Sequence, residues 1–384
     1  MIPLAVPDLT GNEALYLQEC IASTFVSSVG PFVDRFEAMV SAAAGSTRAV
    51  ATSAGTTGLH AALTAVGVGR DDLVILPAFT FIGSANAIAH CGALPWLLDV
   101  ESEGWTLDPE QLEIELCQRT ERRGEREVIH RPSGRRVAAV MPVHVLGNPA
   151  EMDAIVAIAR RHGLPVVADA AAALGARAHG RAIAALEAEL TVFSFNGNKT
   201  VTCGGGGAVV GNDPALLDLV RHLTTTARHG EEYDHDRVGF NYRMTNLQAA
   251  VGCAQLERLD ALVAAKQRIR ARYDAACHDW PGVTPFPVPA WAKSACWFSG
   301  VVLPEGLEPA ATRALYGAFR AAGVAARPFW KPIHLQLPYR DAPRTALPVS
   351  EAIAPRILTL PCSAGLTVAE QDHVIATADR LLAG

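Results

Sequence analysis

The feature that most limits what this chain can fold into is an alternation. Short apolar runs return at intervals: Ala49–Thr52, Leu73–Pro77, Leu94–Asp99, the run from Val137 to His144, Leu164–Asp169, the run beginning at Thr191, and Ala208–Val210. Between many of them lie stretches of helical spacing, including 59–66, 84–91 and 152–162. Two earlier helices are expected at 12–25, with Leu15, Leu17 and Ile21 at helical spacing, and at 32–44. Strands that alternate with helices form a mostly parallel sheet wrapped by helices on its faces. The expected class is therefore α/β.

Past residue 214 the pattern changes. Two helical pieces are expected over 214–260, the second continuing as a long connector to about 276. A strand over 295–303, a helix over 308–322, a further strand after Gly323, a proline-punctuated loop from Arg327 to His334 and a terminal helix over 367–382 then suggest a smaller α+β unit. The expected division is a large domain over 1–255, with an N-terminal helical segment, and a small domain over 256–384. At 384 residues and 50% hydrophobic, the chain has material for both. Two polar segments read as surface: the mixed-charge run 118–136 as a solvated excursion, and 228–237 as a mobile loop.

The bulk properties exclude several functions. A net charge of −6 offers no nucleic-acid surface. Eight cysteines without C-x-x-C spacing argue against a zinc site or a disulfide framework, and no metal is expected. There is no run of about 18 apolar residues for a membrane span, and no basic-then-apolar leader at the start. The expectation is a soluble cytoplasmic protein with no membrane partner. No G-x-G-x-x-G follows a strand with an acid about 20 residues on, which argues against a nicotinamide dehydrogenase.

In sheets of this kind ligands gather at the carboxyl ends of the strands. Asp169 ends one strand, and Lys199 lies just past another, in Ser-Phe-Asn-Gly-Asn-Lys. Phe79 or Phe81 follows the strand at 73–77, and the turn containing Gly55 and Thr56 opens a helix whose free N–H groups suit a phosphate. The chain has four lysines, 199, 266, 293 and 331, and an amine that must lose its proton to attack a carbonyl has to be one of them. A carboxylate, an aromatic face, a phosphate nest and an amine on one rim are what pyridoxal 5′-phosphate requires. Each element alone has a plainer reading: a surface lysine, a helix cap, a core phenylalanine, a strand-to-helix turn.

The motifs taken together resemble the DegT/StrS family of nucleotide-sugar aminotransferases. They are Val-Ser-Ser-Val-Gly-Pro before residue 32, Pro-Ala-Phe-Thr-Phe-Ile-Gly from 77, Pro-Val-His-Val-Leu-Gly from 142, Asp169-Ala-Ala-x-x-x-Gly175, the Lys199 turn, and Gly-Phe-Asn-Tyr-Arg-Met-Thr-Asn from 239. The resemblance implies the type I, aspartate-aminotransferase-like fold and pyridoxal phosphate as cofactor. It implies Lys199 as the lysine that bonds the cofactor and Asp169 as the partner of its ring nitrogen. Phe81 is then the stacking ring, and Gly55, Thr56 and Ser194 are phosphate contacts. Asn241 matches a residue that reaches the phosphate of a neighbouring subunit, which implies a homodimer with shared sites. His334 is placed near the substrate by the same resemblance. His144, at a strand end, reads equally as a contact to cofactor or sugar and as a packing or capping residue. Ala172 departs from the family, which usually has a polar residue there.

The opening Ile-Pro-Leu-Ala-Val-Pro-Asp, the Asn-Gly-Asn-Lys turn with four glycines and the insert near 118–136 look like the legionaminic-acid branch. That branch implies glutamate as amino donor and UDP-4-keto-6-deoxy-N-acetylglucosamine as acceptor, giving a bacillosamine precursor. A GDP-perosamine-type synthase is the alternative, and a non-catalytic binding or regulatory protein on the same fold is the reading from another class.

Overall fold

The structure is a computed structural model, and it describes residues 1–124 and 127–382. Its centre is one sheet. From edge to edge the strands run Arg48–Thr52, Gly207–Gly211, Leu190–Ser194, Val167–Asp169, Arg135–Val140, Leu73–Pro77 and Leu94–Leu98. Parallel bridges from Val140 to Val166 and from Val143 to Asp169 join its two halves. Every strand is parallel to the rest except Gly207–Gly211, which runs against both of its neighbours.

Successive residues of these strands feed two separate cores. Val50, Val74, Leu76, Leu97, Val192 and Val209 pack on one face. Ala49, Ala51, Ile75, Trp96, Phe193 and Val210 pack on the other. Both faces are buried, which is why the strands read as unbroken apolar runs. One face is covered by the helices Gly55–Ala65, Ile82–His90 and Pro214–Thr224, the other by Pro31–Ala44, Met152–His162 and Asn246–Leu256.

A second sheet, antiparallel throughout, is built from Thr284–Pro285, Ser299–Val302, Ile357–Leu360 and Arg327–Pro328. The strand expected over 295–303 is shortened at its start. Cys296 takes a positive φ of 50°, and Trp297 donates its backbone N–H to the Leu146 carbonyl of the large sheet's rim. The long helix expected up to 276 is broken at Glu257–Arg258, and its second part is Leu259–Ala276.

Three further expectations change. The run 118–136 is not merely a solvated excursion. Thr120–Arg123 and Glu127–His130 form an antiparallel hairpin that extends the sheet beside Arg135, with Val128 and Ile129 buried, while residues 125 and 126 lie outside the described residues. The segment 228–237 is exposed but holds a two-residue ladder between Arg228–His229 and Asp234–His235. The first helix, Glu13–Ser23, forms as expected, yet Leu15 and Ile21 point outward rather than into the core. Among the described residues no helix is long and apolar enough to cross a membrane.

Candidate active site

A cavity of about 550 Å³ opens where the carboxyl ends of the large sheet meet the edge of the small one. Gly55, Thr56, Phe81, His144, Asp169, Ser194 and Lys199 all line it. The chain order of these residues follows the strand order only loosely. It is the parallel topology that turns every strand's carboxyl end to the same rim.

Lys199 lies in the turn after Leu190–Ser194, its backbone N–H bonded to the Asn196 carbonyl at 2.9 Å. Its Nζ sits 3.5 Å from the centre of the Trp297 ring. Removal from bulk water lowers the amine to about 7, although Asp169 pulls the other way. Near neutrality a sizeable share of Lys199 is therefore unprotonated, as a nucleophilic amine must be. The other three lysines are elsewhere. Lys293 and Lys331 are exposed. Lys266 is buried behind the site, donating to the carbonyls of Trp297 (3.0 Å) and Cys362 (2.6 Å), and so helps fix the ring against which Lys199 rests.

Asp169 is buried. Its Oδ2 accepts from the Ser84 hydroxyl at 2.7 Å and its Oδ1 from the Ala171 N–H at 3.0 Å. Burial pushes its carboxyl upward, and these two bonds, together with Lys199, offset part of that. A buried carboxylate held this way has capacity left for one strong cationic donor.

Gly55 and Thr56 are already inside a helix, which starts four residues earlier than the sequence suggested. The Thr57 hydroxyl accepts from the Ala54 N–H at 3.0 Å and starts the helix there. The free N–H groups of the first turn consequently face the cavity, the arrangement that favours an anion. A side chain at position 55 would come within 2.9 Å of the Ser194 Cβ, so glycine is what lets this turn close on Ser194. The glycines after Lys199 serve more than one purpose. Gly205 and Gly206 line the cavity, whereas a Cβ on Gly207 would lie 2.5 Å from the Ala54 carbonyl oxygen.

Of Phe79 and Phe81, the second is the one at the cavity. Phe79 is wholly buried, edge-on to Trp105, while Phe81 is 52% exposed at the cavity mouth. His144 is buried, and its Nδ1 accepts from the Ala150 N–H at 2.9 Å. Its Nε2 is buried without a partner among the described residues. Asn198 Oδ1 is likewise buried and unpartnered on the cavity wall. Orphaned groups of this kind cost about 1–3 kcal/mol each unless a ligand pairs with them, so these walls are cut for a polar occupant.

Two expected residues are not brought in. Asn241 is exposed and lies off this chain's own cavity, bridged to Thr225. His334 is buried in a short turn beyond the cavity and pairs with Glu351 at 3.1 Å. It is not among the residues that line this chain's own cavity, where the resemblance had put it near the substrate. Sequence reasoning missed the opposite wall: Trp297, Phe298, Arg327, Phe329 and Trp330. Arg327 is exposed, its guanidinium 5.7 Å from the Phe298 ring, and no carboxylate among the described residues is paired with it.

The sequence profile of the DegT/DnrJ/EryC1/StrS aminotransferase family matches residues 7–379. The chain belongs to that family. A GDP-perosamine synthase of Caulobacter vibrioides is 39% identical over 99% of this chain and 98% of its own length. A protein of Bacillus subtilis named putative pyridoxal phosphate-dependent aminotransferase EpsN is 34% identical over 97% of this chain and 94% of its own. A solved DegT/DnrJ/EryC1/StrS aminotransferase of Brucella abortus superposes with a TM-score of 0.86 at 29% identity, over 97% of this chain and 96% of that one. The family and the type I fold expected from the sequence are thereby shown, and aminotransferases of this family depend on pyridoxal phosphate. The legionaminic-acid branch is not what these relatives point to.

Proposed function

We propose that this protein is a pyridoxal-phosphate-dependent sugar aminotransferase that takes an amino group from glutamate and places it on C4 of a GDP-linked 4-keto-6-deoxy sugar, GDP-4-keto-6-deoxymannose being the leading acceptor. The observation that carries the chemistry is the convergence of Lys199, with its amine near 7, and buried Asp169 on one cavity. The choice of acceptor rests on the full-length similarity to a GDP-perosamine synthase. It reverses the order expected from the sequence, in which the UDP-linked N-acetylglucosamine derivative came first.

The residues present fit the cofactor. Asp169 has an acceptor position free for a protonated ring nitrogen, Phe81 offers a face, and the first turn at Gly55–Thr56 with Ser194 offers donors to a phosphate. Bound there, pyridoxal phosphate supplies an aldehyde carbon that carries the amino group and a ring that delocalises the electrons left when the donor's α-proton departs. Lys199 supplies the amine that holds the cofactor. Once released, the same amine stands over the cavity as the base that takes the proton and returns it. Asp169 keeps the ring nitrogen protonated. The aromatic wall of Trp297, Phe329 and Trp330 restricts water. Arg327 is the cavity's cation besides Lys199, placed to receive an anionic group of donor or acceptor.

The site is completed by a second copy of the chain. The first helix and the segment after it expose Leu15, Ile21, Phe25, Val26 and Val29, an apolar surface left open by the described residues of the single chain. Asn241, exposed and off its own cavity, is the residue assigned to the neighbour's phosphate site. The setting is the cytoplasm.

The test is a panel. Purified protein is loaded with the cofactor and given glutamate with GDP- or UDP-linked 4-keto-6-deoxy sugars. The expected outcome is loss of the yellow colour with glutamate and a 4-amino product from the GDP sugar. Turnover of the UDP sugar alone would restore the order expected from the sequence. A protein that cannot be loaded would favour a non-catalytic binding role.

A further inference from the structure

Asp169 lies between two strand ends. On one side its strand pairs with Leu190–Ser194, so that Ser194 and the abutting Gly55 turn stand to that side. On the other side Val143 bridges to Asp169, and the His144 N–H donates to the Asp169 carbonyl at 2.9 Å. The phosphate nest and His144 therefore flank Asp169 on opposite sides.

The covalent plan of pyridoxal phosphate converts this into a prediction about one atom. Its aldehyde carbon is para to the ring nitrogen. The phosphate-bearing arm is next to the aldehyde on one side, and the phenolic oxygen on the other. With the nitrogen on Asp169, the aldehyde on Lys199 and the phosphate on the Gly55–Ser194 side, the phenolic oxygen must point to the His144 side. Val143, His144, Ala171 and Ala172 line the cavity there, and of these side chains His144 carries the polar group.

His144 has one state to offer. Its Nδ1 is occupied as an acceptor by the Ala150 N–H, so in the neutral ring the proton is on Nε2. Burial lowers the imidazole to about 4, so it stays neutral over the working pH range. Its Nε2–H is buried and has no partner among the described residues. A fixed neutral donor facing an anionic oxygen is a tuning device.

We propose that His144 Nε2–H donates a hydrogen bond to the phenolic oxygen of the bound cofactor, taking on this flank the place that Ala172 cannot fill. The inference rests on the assignment of the cavity to pyridoxal phosphate. The donor spreads the phenolate charge and so weakens that oxygen's hold on the proton of the lysine–cofactor bond. Losing it raises the pH at which that proton leaves.

The experiment is a spectral pH titration of the loaded protein, with cofactor affinity measured alongside and the melting temperature of the cofactor-free protein as a control. Asp169, Lys199 and Arg327, the other charged groups that line the cavity among the described residues, stay in place in every variant. His144→Phe is expected to raise the absorbance midpoint by about one pH unit and to weaken cofactor binding about tenfold. Ala172→Gln, which adds a donor on the same flank, is expected to lower the midpoint, and in the double variant to bring it back toward the wild-type value. A merely structural His144 would change the melting temperature and leave the midpoint where it was, which overturns the proposal. Should His144→Phe not fold, an unmoved midpoint in Ala172→Gln overturns it equally. Failure of the wild-type protein to show any visible cofactor band would instead strike at the cofactor assignment itself.

Discussion

The two walls of the cavity are made in different ways. One is the rim of the large sheet, where Asp169 and Ser194 end their strands and Gly55, Phe81, His144 and Lys199 follow theirs. Their positions are set by strands buried on both faces, so they move only if the core moves. The other wall comes from the edge of the antiparallel sheet: Trp297, whose backbone is tied to the Leu146 carbonyl, and Arg327 to Trp330, beside a short edge strand. The rim carries groups that a cofactor needs at fixed places. The edge carries aromatic bulk and Arg327, a cation without a carboxylate partner among the described residues, which suit a substrate that comes and goes. Loss of chemistry should follow from changes at the rim, and loss of substrate affinity from changes at the edge.

The largest effect expected is from Lys199→Ala on the rim, which should lower turnover by at least about 10⁴-fold and remove the yellow colour, read by absorbance and by assay with glutamate. Next is Asp169→Asn. It should lower kcat about 10²–10³-fold with an unchanged melting temperature, because only the charge partner proposed for the ring is lost. At the edge, Arg327→Ala should raise KM by about 10- to 100-fold, the loss of one charge-assisted hydrogen bond, and leave kcat within a few fold. Separate half-reaction assays with glutamate and with the keto sugar will show which anion it receives. A fall in kcat alone would erase the proposed division between the walls.

A stability measurement sharpens the same contrast. His144 on the rim and His60, in the helix behind it, are buried and both lowered to about 4. Between pH 6.5 and 4 the unfolded chain binds protons that the folded chain refuses, so stability should fall as pH drops through that window. A tenfold difference in proton affinity between the folded and unfolded chain corresponds to roughly 1.4 kcal/mol, so His144→Phe should flatten the pH dependence of the melting temperature. The smallest effect is expected from Phe81→Leu, about a three- to tenfold loss of cofactor affinity, of the order of one aromatic contact.

The difference between the walls also explains what was legible in the sequence. The rim was readable because each strand is a local apolar run and each functional residue follows it within a few positions. Local signals were enough to name Lys199 and Asp169 before any geometry was known. The edge was not readable in that way. Trp297 reaches Lys199 from almost a hundred residues away in the chain, across a turn at Cys296 that interrupts what looked like one strand. Arg327 sits in a proline-rich stretch where no periodicity marks which side chain faces inward. His334 was placed by the resemblance alone; in the chain the turn at 333–335 buries it and pairs it with Glu351. The hairpin at 120–130 was hidden for another reason: its outer strand is charged and solvated, so the run resembles a loop, and only Val128 and Ile129 show that it joins the sheet.

Everything assigned to the rim depends on Lys199, and no other lysine, holding the cofactor. Borohydride reduction of the loaded protein fixes that bond permanently, and peptide mass spectrometry then locates it. The expected result is the reduced cofactor on the peptide containing Lys199. A label on Lys266, Lys293 or Lys331, or no label in a protein that is yellow, would contradict it.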